Sequence, residues 1–267
     1  MREGVPPARA AYIRRRRRRR WGTAAIVAPA VLGAGWVVWP HIASVTSPHA
    51  MPDTIALKHQ DVQPLGHPPK APHGVGQFSF VAEQATSDEP VAYDPCRKVP
   101  WAIRDELAPP GTEKLVDGAV RQVARATGLV FVRRGDTHNY KTIDTLTTNY
   151  GRSPVVIDWT TPGEVPSLNG ASVGLGRSVY TSDWGTAQKV YLTGAVALDT
   201  HQLAKLLDRP GGAAQVRAVI MRELSHALGL DYVDDANELM NKQSLERTSF
   251  GPGDREGLAA LGAGHCF

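Results

Sequence analysis

Most of this sequence has no excess of positive charge, although its net charge of +4 and its pI of about 9.1 suggest a basic protein. The first 20 of the 267 residues hold nine arginines against one acid, Glu3, and so carry +8. The other residues hold 21 basic and 25 acidic side chains, which leaves them at −4. Because a nucleic-acid-binding domain needs positive charge spread over one face, this distribution excludes nucleic acid as a partner. With 42% hydrophobic residues, the chain can form a packed core.

Charged side chains are also absent from residues 21–39, a run of nineteen residues that follows the arginines directly. As a helix this run is roughly 29 Å long, close to the thickness of the hydrocarbon core of a bilayer. Trp21, Trp36 and Trp39 stand where a membrane interface favours tryptophan. The run therefore predicts one transmembrane signal-anchor helix. The basic tail at residues 1–20 predicts that the N-terminus is cytoplasmic and that the rest of the chain is extracellular.

Two other forms of export are open for this segment. A cleaved signal peptide needs small residues before the cut, and the sequence after Trp39, PHIASVTSPHA, has no clean Ala-x-Ala site. A twin-arginine export signal is the second form, since any long arginine run contains the pair. In each case the remainder of the chain leaves the cytoplasm, as an anchored or a secreted protein.

Residues 40–76 have no sustained apolar period and hold seven prolines and five of the nine histidines. Such a composition cannot bury enough surface to offset the entropy of chain ordering, so we predict an extended, mobile spacer. The histidines also suggest a metal-binding tract, but their spacings of six to ten residues match no ligand geometry. The folded domain is expected over residues 77–267.

Cysteine is scarce, because Cys96 and Cys266 are the two in the chain. They lie near the two ends of the predicted domain. Outside the cytoplasm both meet an oxidising environment, which favours one disulfide that joins the ends. Two free thiols and a pair of metal ligands are the alternatives.

The pattern of apolar residues predicts an α+β fold with one mixed sheet, and an α/β arrangement of the same elements is the alternative. Apolar residues at helical spacing predict a helix over residues 112–127 that ends at Gly128, and a second over residues 213–229. The stretch 160–187 is rich in Gly, Ser and Pro and predicts a loop. A short helix is expected just before Cys266. Strands are expected at residues 78–81, 99–105, 129–134, 155–159 and 190–199, the last as one or two strands broken at Gly194.

Residues 219–240, VIMRELSHALGLDYVDDANELM, carry the pattern most typical of a chemical function. In zinc peptidases the motif HExxH places two imidazoles on one helix face, and the glutamate between them acts as general base. In one branch a glycine turn and a third histidine follow, with a methionine turn beneath the metal. Met240, in ELMN, stands where that methionine turn is expected.

Aligned with HExxHxxGxxH, the sequence reads RELSHALGLDY and keeps part of the pattern. Glu223 stands at the general-base position, His226 at the second ligand and Gly229 at the turn glycine. Arg222 and Tyr232 replace the first and the third histidine. One imidazole of the three is therefore left.

The segment resembles the zinc-site region of matrixin-like metzincin metalloproteases of actinobacteria, which typically reads HELGHALGLGHVDDxxxLM. The resemblance extends to YDPC, ATGLVFV, VYLTGAVALD and LGAGHC, so that it covers residues 93–266. It implies the metzincin catalytic-domain fold, in which a mixed twisted sheet packs on long helices. It also implies a zinc cofactor, metalloendopeptidase activity and a polypeptide substrate, with Glu223 as the catalytic base and His226 as a metal ligand.

The two replacements fall on the metal ligands themselves. A catalytic zinc ion keeps three protein ligands and a water, and a single imidazole binds the ion weakly. Arginine stays protonated and has no acceptor atom, so Arg222 repels a dication from the helix face that it shares with His226. We expect zinc to be lost or weakly bound. Arg222 is expected to pair with Glu223, Asp231, Asp234 or Asp235.

Structural roles are the alternatives for these residues. Glu223 can serve as a salt-bridge partner, His226 as a half-buried packing residue and Tyr232 as a core or rim aromatic. Met240 packs under the helix in either case. Two alternatives retain a metal site. In one, Tyr232 is a phenolate ligand, and in the other Asp231 reaches the metal after a shift of the turn. Histidines expected at the surface are His138, His201 and His265.

The sequence supports two classes of function. The first is a membrane-tethered metalloendopeptidase with a non-standard ligand set. The second is a pseudoenzyme ectodomain that keeps the fold, with its cleft as a binding surface for a polypeptide or a surface protein. A decaying paralogue without a selected role has the same sequence signature as the second. Because both histidines are lost while the surrounding frame is kept, we expect a catalytically inactive or severely impaired protein.

Overall fold

The computed structural model describes residues 63–135, 143–146, 153–170, 172–182, 188–243 and 246–267. These residues belong to one compact unit. The predicted cytoplasmic tail, the predicted transmembrane helix and most of the predicted spacer lie outside the described residues. Within the described part, no helix has the length and the apolar character needed to cross a membrane.

The strands of the described chain are β1 (Ser79–Phe80), β2 (Val99–Arg104), β3 (Phe131–Arg133), β4 (Val155–Thr160), β5 (Gly174–Ser182), β6 (Lys189–Asp199) and β7 (Leu230–Asp231). Five of them form a sheet in the order β3-β2-β4-β6-β5. The pairs β2–β3, β2–β4 and β4–β6 are parallel, whereas β5 runs antiparallel to β6 at one edge. A separate antiparallel pair joins β1 to β7.

The helices of the same part are α1 (Glu113–Thr127), α2 (Thr200–Leu207), α3 (Gly212–Leu228) and α4 (Pro252–Gly262). The mixed sheet with its helices confirms the predicted α+β class. Helix α1 ends at Gly128 with a φ of 73°, the left-handed conformation that glycine adopts without steric cost, as the sequence predicts. Helix α3 ends in the same way at Gly229 with a φ of 114°.

The two faces of the larger sheet are covered differently because side chains alternate along each strand. On β6, Val196 and Leu198 face the main core, which also contains the apolar side chains of α1 and α3. Ala195 belongs to a smaller cluster with Val165 and Leu168. Helix α3 packs against β5, β6 and α1, so the helix that carries the motif is the most enclosed of the described helices.

The predicted loop over residues 160–187 is wrong in its second half, because Gly174–Ser182 form the nine-residue strand β5. The small residues that suggested a loop let this strand approach α3 closely. A Cβ on Gly176 would overlap the carbonyl group of Glu223. Strand β6 likewise runs unbroken through Gly194. Helix α2 was not predicted, because its eight residues give little more than two turns of periodicity.

The described end of the predicted spacer packs on the domain. The amide of Leu65 donates to the carbonyl of Pro95 at 2.9 Å, and His73 Nδ1 lies 2.6 Å from Glu256 Oε1. A Cβ on Gly76 would overlap the start of α4. These contacts involve backbone groups and single side chains, so they produce no apolar periodicity by which the sequence could reveal them. Packed structure therefore begins before the boundary that composition predicts.

Cys96 and Cys266 form a disulfide with their Cα atoms 5.3 Å apart and a sequence separation of 170. The predicted pairing is confirmed, and the described residues contain no free cysteine. Asp94 supports the turn at one end of the bond. Its Oδ1 accepts a hydrogen bond from the amide of Cys96, and its Oδ2 accepts one from Arg97 Nε, each at 2.9 Å.

Candidate functional site

Helix α3 carries charged side chains of the motif into the interior. Arg222 and Glu223 are 8% and 3% exposed, although charged residues usually lie at the surface. Glu223 is buried because β5 passes over this half of α3, where a Cβ on Gly174 would lie 3.0 Å from Cγ of Glu223. Charged groups so placed need partners in the protein, since burial without them is costly.

Gly229 turns the chain back at the end of α3. Its amide donates to the carbonyl of His226 at 3.0 Å. A Cβ at this position would lie 3.1 Å from side-chain atoms of Leu261 and Tyr191, so the turn is also a place of close packing. The chain then continues through β7 to Tyr232, whose ring returns over the residues of α3.

Tyr232 is hydrogen-bonded to Glu223. Its phenol donates to Oε2 of Glu223 at 2.7 Å, and Oε1 of the same carboxylate lies 3.5 Å from Nε of Arg222. The residues at the first-ligand, general-base and third-ligand positions of the aligned motif are therefore joined in one network. Both oxygens of the buried carboxylate have a partner in it.

Burial sets the protonation of this network. It raises the pKa of Glu223 to about 7, while the hydrogen bond from Tyr232 and the charge of Arg222 act in the opposite direction. Burial also raises the pKa of Tyr232, and the negative charge of Glu223 adds to the effect. Tyr232 is thus a neutral phenol at neutral pH, and its hydroxyl donates a hydrogen bond to the carboxylate of Glu223. This state does not support the phenolate ligand that the sequence left open.

Arg222 links α3 to the segment that contains Met240. Its Nη1 donates to the carbonyl of Asn241 and lies 3.5 Å from that of Leu239. Its Cζ lies 4.5 Å from the centroid of the Tyr232 ring, a cation–π contact. Met240 is 1% exposed and packs in the main core. The sequence did not predict these bonds to the two carbonyls.

Of the four acids expected as partners of Arg222, Glu223 is the one that pairs with it. Asp234 lies 3.6 Å from Lys242, and Asp235 accepts a hydrogen bond from the amide of Asn237. These aspartates stabilise the turn between β7 and the Met240 segment. The guanidinium therefore has an interior carboxylate as its counter-ion.

His226 is half-buried, with 20% of its side chain exposed. Its Nδ1 lies 3.0 Å from the carbonyl of Leu230, and since a carbonyl only accepts, Nδ1 carries the proton. The ring stacks on Tyr232 with centroids 4.4 Å apart and planes at 11°. Burial lowers the pKa of His226, so the neutral imidazole keeps its lone pair on Nε2. Oδ1 of Asp231 lies 3.8 Å from Nδ1, on the protonated side of the ring.

The donor set of the motif does not fit a catalytic zinc ion. Such an ion needs three protein ligands, and His226 supplies one. Across the described ranges, the only three His, Cys, Asp or Glu side chains close enough to share a metal are Asp94, Cys96 and Cys266. Two of these are joined in the disulfide, and none belongs to the motif. The alternative in which Asp231 completes a metal site gains no support.

The other histidines considered from the sequence lie apart from this network. His201 is exposed on α2. His265 is exposed near the C-terminus, with Nε2 at 3.3 Å from Oε2 of Glu89. His138 lies outside the described residues.

Two buried carboxylates behind the motif were not predicted. Glu238 accepts hydrogen bonds from the amides of Gly253 and Asp254, each at 2.9 Å. Asp254 accepts from the amides of Leu239 at 2.5 Å and Met240 at 3.2 Å. Burial raises the pKa of Asp254 to about 6. Glu238 and Asp254 thus fix the segment whose carbonyls accept hydrogen bonds from Arg222 to the start of α4. In the sequence, the helix-start pattern GPGD is the signal that could have indicated this pair.

Comparison of the sequence with protein-family models and with curated proteins finds no match. Among solved structures, the chain is similar to archaemetzincin from Methanopyrus kandleri at 20% identity and a TM-score of 0.38, over 61% of this chain and 94% of that one. It is similar to the GM1-bound ECX AB5 holotoxin at 13% identity and a TM-score of 0.38, over 63% and 81%.

A third similar structure is high choriolytic enzyme 1, a hatching-enzyme zinc protease of the medaka fish Oryzias latipes. The identity is 17% and the TM-score 0.25, over 51% of this chain and 44% of that one. At these TM-scores the similarities do not define the family. The function of this chain therefore has to be inferred from its own residues.

Proposed function

We propose that this protein is a membrane-anchored, extracellular homologue of the matrixin-like zinc metalloendopeptidases that binds polypeptides and does not hydrolyse them. The observation that carries the proposal is the hydrogen bond from Tyr232 to Glu223, together with the ion pair between Glu223 and Arg222. In the aligned motif these residues stand at the third-ligand, general-base and first-ligand positions. A network of side chains thus takes the place of a metal and its water.

Zinc-dependent hydrolysis needs an ion that lowers the pKa of a water molecule and a carboxylate that takes its proton. Glu223 is 3% exposed and has a partner on each of its oxygens. The guanidinium of Arg222 repels a dication from the same place. A water molecule at this site therefore meets neither an activating ion nor an available base.

Binding without hydrolysis is supported by the edge of the larger sheet. Strand β5 is the last strand of the sheet order and pairs with β6 on one side. An edge strand can accept an extended polypeptide through its backbone groups. Tyr180, on β5, is 39% exposed and adds apolar surface beside that edge. We therefore propose a polypeptide or a surface protein as the partner, added as a strand along β5.

The N-terminal sequence supports the proposed location. Residues 21–39 form the proposed anchor, and the arginines of residues 1–20 favour a cytoplasmic N-terminus. The disulfide between Cys96 and Cys266 fits an extracellular domain, because stable disulfides belong to oxidising compartments. Secretion after cleavage of the N-terminal segment is the alternative.

Incubation of the purified full-length protein with an unstructured polypeptide, with and without added Zn²⁺, tests the proposal. We expect the polypeptide to bind and to stay intact in both conditions, beside an active zinc peptidase as the positive control. Zinc-dependent cleavage that is lost in Glu223→Gln would identify an active peptidase with a non-standard ligand set. Absence of polypeptide binding would refute the binding role.

A further inference from the structure

We propose that the chain has a second binding site, which takes a carboxylate carried on a short apolar body. The site is a cavity of about 430 Å³ between α2, the beginning of α3 and Glu246. Its volume lies within the range of roughly 300–1,000 Å³ typical of small-ligand sites. The site shares no residue with the Tyr232–Glu223–Arg222 network. The proposal therefore goes beyond the function proposed above and can be tested independently of it.

One side of α2 forms a wall of the cavity. Gln202, Lys205 and Leu206 line it from within the helix, and Arg209 lines it from the turn that follows. Their spacing of three and four residues places these side chains on one face. Gln215, near the start of α3, lines the cavity opposite. Two helices therefore provide a rigid frame for the site.

Lys205 and Arg209 are exposed cations that line the cavity. Neither side chain takes part in an ion pair or a side-chain hydrogen bond with the described residues. Like charges four residues apart repel each other, and an anion between them removes the repulsion. Among the described residues of the lining, Glu246 is the remaining charged one, so these residues carry a net charge of +1. This charge matches one carboxylate.

The rest of the lining suits an apolar body. Val173 and Leu206 face the cavity and pack with their other sides against the main core. Gln202 is held in place, because its Nε2 donates to the carbonyl of Ser172 at 3.2 Å and to Oδ2 of Asp199 at 3.0 Å. A guanidinium can bind a carboxylate through two parallel hydrogen bonds, which makes Arg209 the expected anchor.

Calorimetric titration of the full-length protein with 4-phenylbutyrate tests the site, with the uncharged 4-phenylbutanol as the matched probe. We expect saturable binding of the acid at one site per chain, with a Kd below about 1 mM. The alcohol should bind about tenfold more weakly or not at all, because it cannot pair with the two cations. Equal binding of both probes, or no saturable binding of the acid, would overturn the proposal.

Substitutions locate the binding in this cavity. Lys205→Gln combined with Arg209→Gln should weaken binding of the acid by about tenfold or more. The control is Arg121→Gln combined with Arg125→Gln, which removes two exposed cations at the same spacing from α1 and should leave the affinity unchanged. Gln215→Trp fills the cavity without a change of charge and should abolish binding. Unchanged affinity in both the charge variant and the filled variant would contradict the assignment.

The carboxylate can come from a free small acid or from the acidic end of a polypeptide. A peptide with a free C-terminal carboxylate and its amidated form separate these sources when each competes with 4-phenylbutyrate. Competition by the free-acid peptide alone assigns the site to a polypeptide end. Failure of both peptides to compete assigns it to small carboxylates, since the cavity then admits only the isolated acid.

Discussion

The phenol oxygen of Tyr232 lies 2.7 Å from Oε2 of Glu223, and the Tyr232 ring stacks on His226 with centroids 4.4 Å apart. One side chain thus contacts both the general-base position and the retained ligand position of the aligned motif. The guanidinium of Arg222 contacts the same ring, with Cζ at 4.5 Å from its centroid. Tyr232 is the centre of the network, and each of its contacts can be removed separately.

Tyr232→Phe removes the hydrogen bond and keeps the ring. We expect the free energy of unfolding to fall by about 1–2 kcal/mol, because a buried carboxylate loses its donor. The matched control is Tyr180→Phe, since Tyr180 is 39% exposed on β5. Urea unfolding should show a change below about 0.5 kcal/mol for the control. Similar losses in the two variants would mean that the phenol of Tyr232 does not stabilise the site.

The pH dependence of the free energy of unfolding of Glu223→Gln tests the protonation state of Glu223. The pKa of Glu223 is about 7 in the folded protein against an ordinary value of 4.5, so the folded state holds a proton that the unfolded state has released between these values. The contribution of Glu223 to stability is thus full below pH 4.5 and is lost as the pH rises to about 7, on the order of 3 kcal/mol.

The variant lacks this titration. Its free energy of unfolding, relative to that of the wild type, should therefore rise between about pH 5 and pH 7 and level off above. A difference that stays constant with pH for Glu223→Gln would show that this carboxyl titrates at its ordinary pH.

The sequence predicts the parts of this molecule that depend on local pattern. Helices α1 and α3 follow from apolar periodicity, and Gly128 ends α1 where a glycine stop is expected. Strand β5 does not follow, because its glycines serve contacts with α3, which is distant in the chain. Nor does the sequence choose among the four acids that Arg222 could meet. That choice depends on the path of the chain after Gly229, which brings Tyr232 and the carbonyl of Asn241 to the helix.

Gly76→Ala tests the contact between the end of the predicted spacer and the domain. The new Cβ would overlap the carboxylate of Glu238 and the backbone of Gly253. Because backbone atoms cannot move aside easily, we expect a loss of about 1–3 kcal/mol in the free energy of unfolding. Amide hydrogen exchange at Leu65 should also become faster. Gly135→Ala, with nothing within 4 Å of the new Cβ, should change neither quantity, and equal exchange in both variants would refute the contact.

The double substitution Arg222→His and Tyr232→His recreates HELSHALGLDH on the same helix and turn. We expect the double variant to bind zinc, with an affinity that falls on acidification because imidazole must be neutral to ligate. Competition with a chelating dye measures that affinity. The two single variants are the controls and should bind more weakly, since each has two imidazoles. A double variant that binds no more zinc than the wild type would show that this frame does not place three ligands around one ion.

The zinc content of the wild-type full-length protein shows whether the motif holds a metal ion. The protein is equilibrated with Zn²⁺, dialysed and measured by elemental analysis beside His226→Ala. His226 is the single imidazole of the motif, and Arg222 brings a positive charge beside it. We therefore predict that each chain retains far less than about one zinc ion, and that the wild type and His226→Ala give the same value. One tightly held zinc ion per wild-type chain, lost in His226→Ala, would show that the motif forms a metal site and would overturn the proposed loss of zinc.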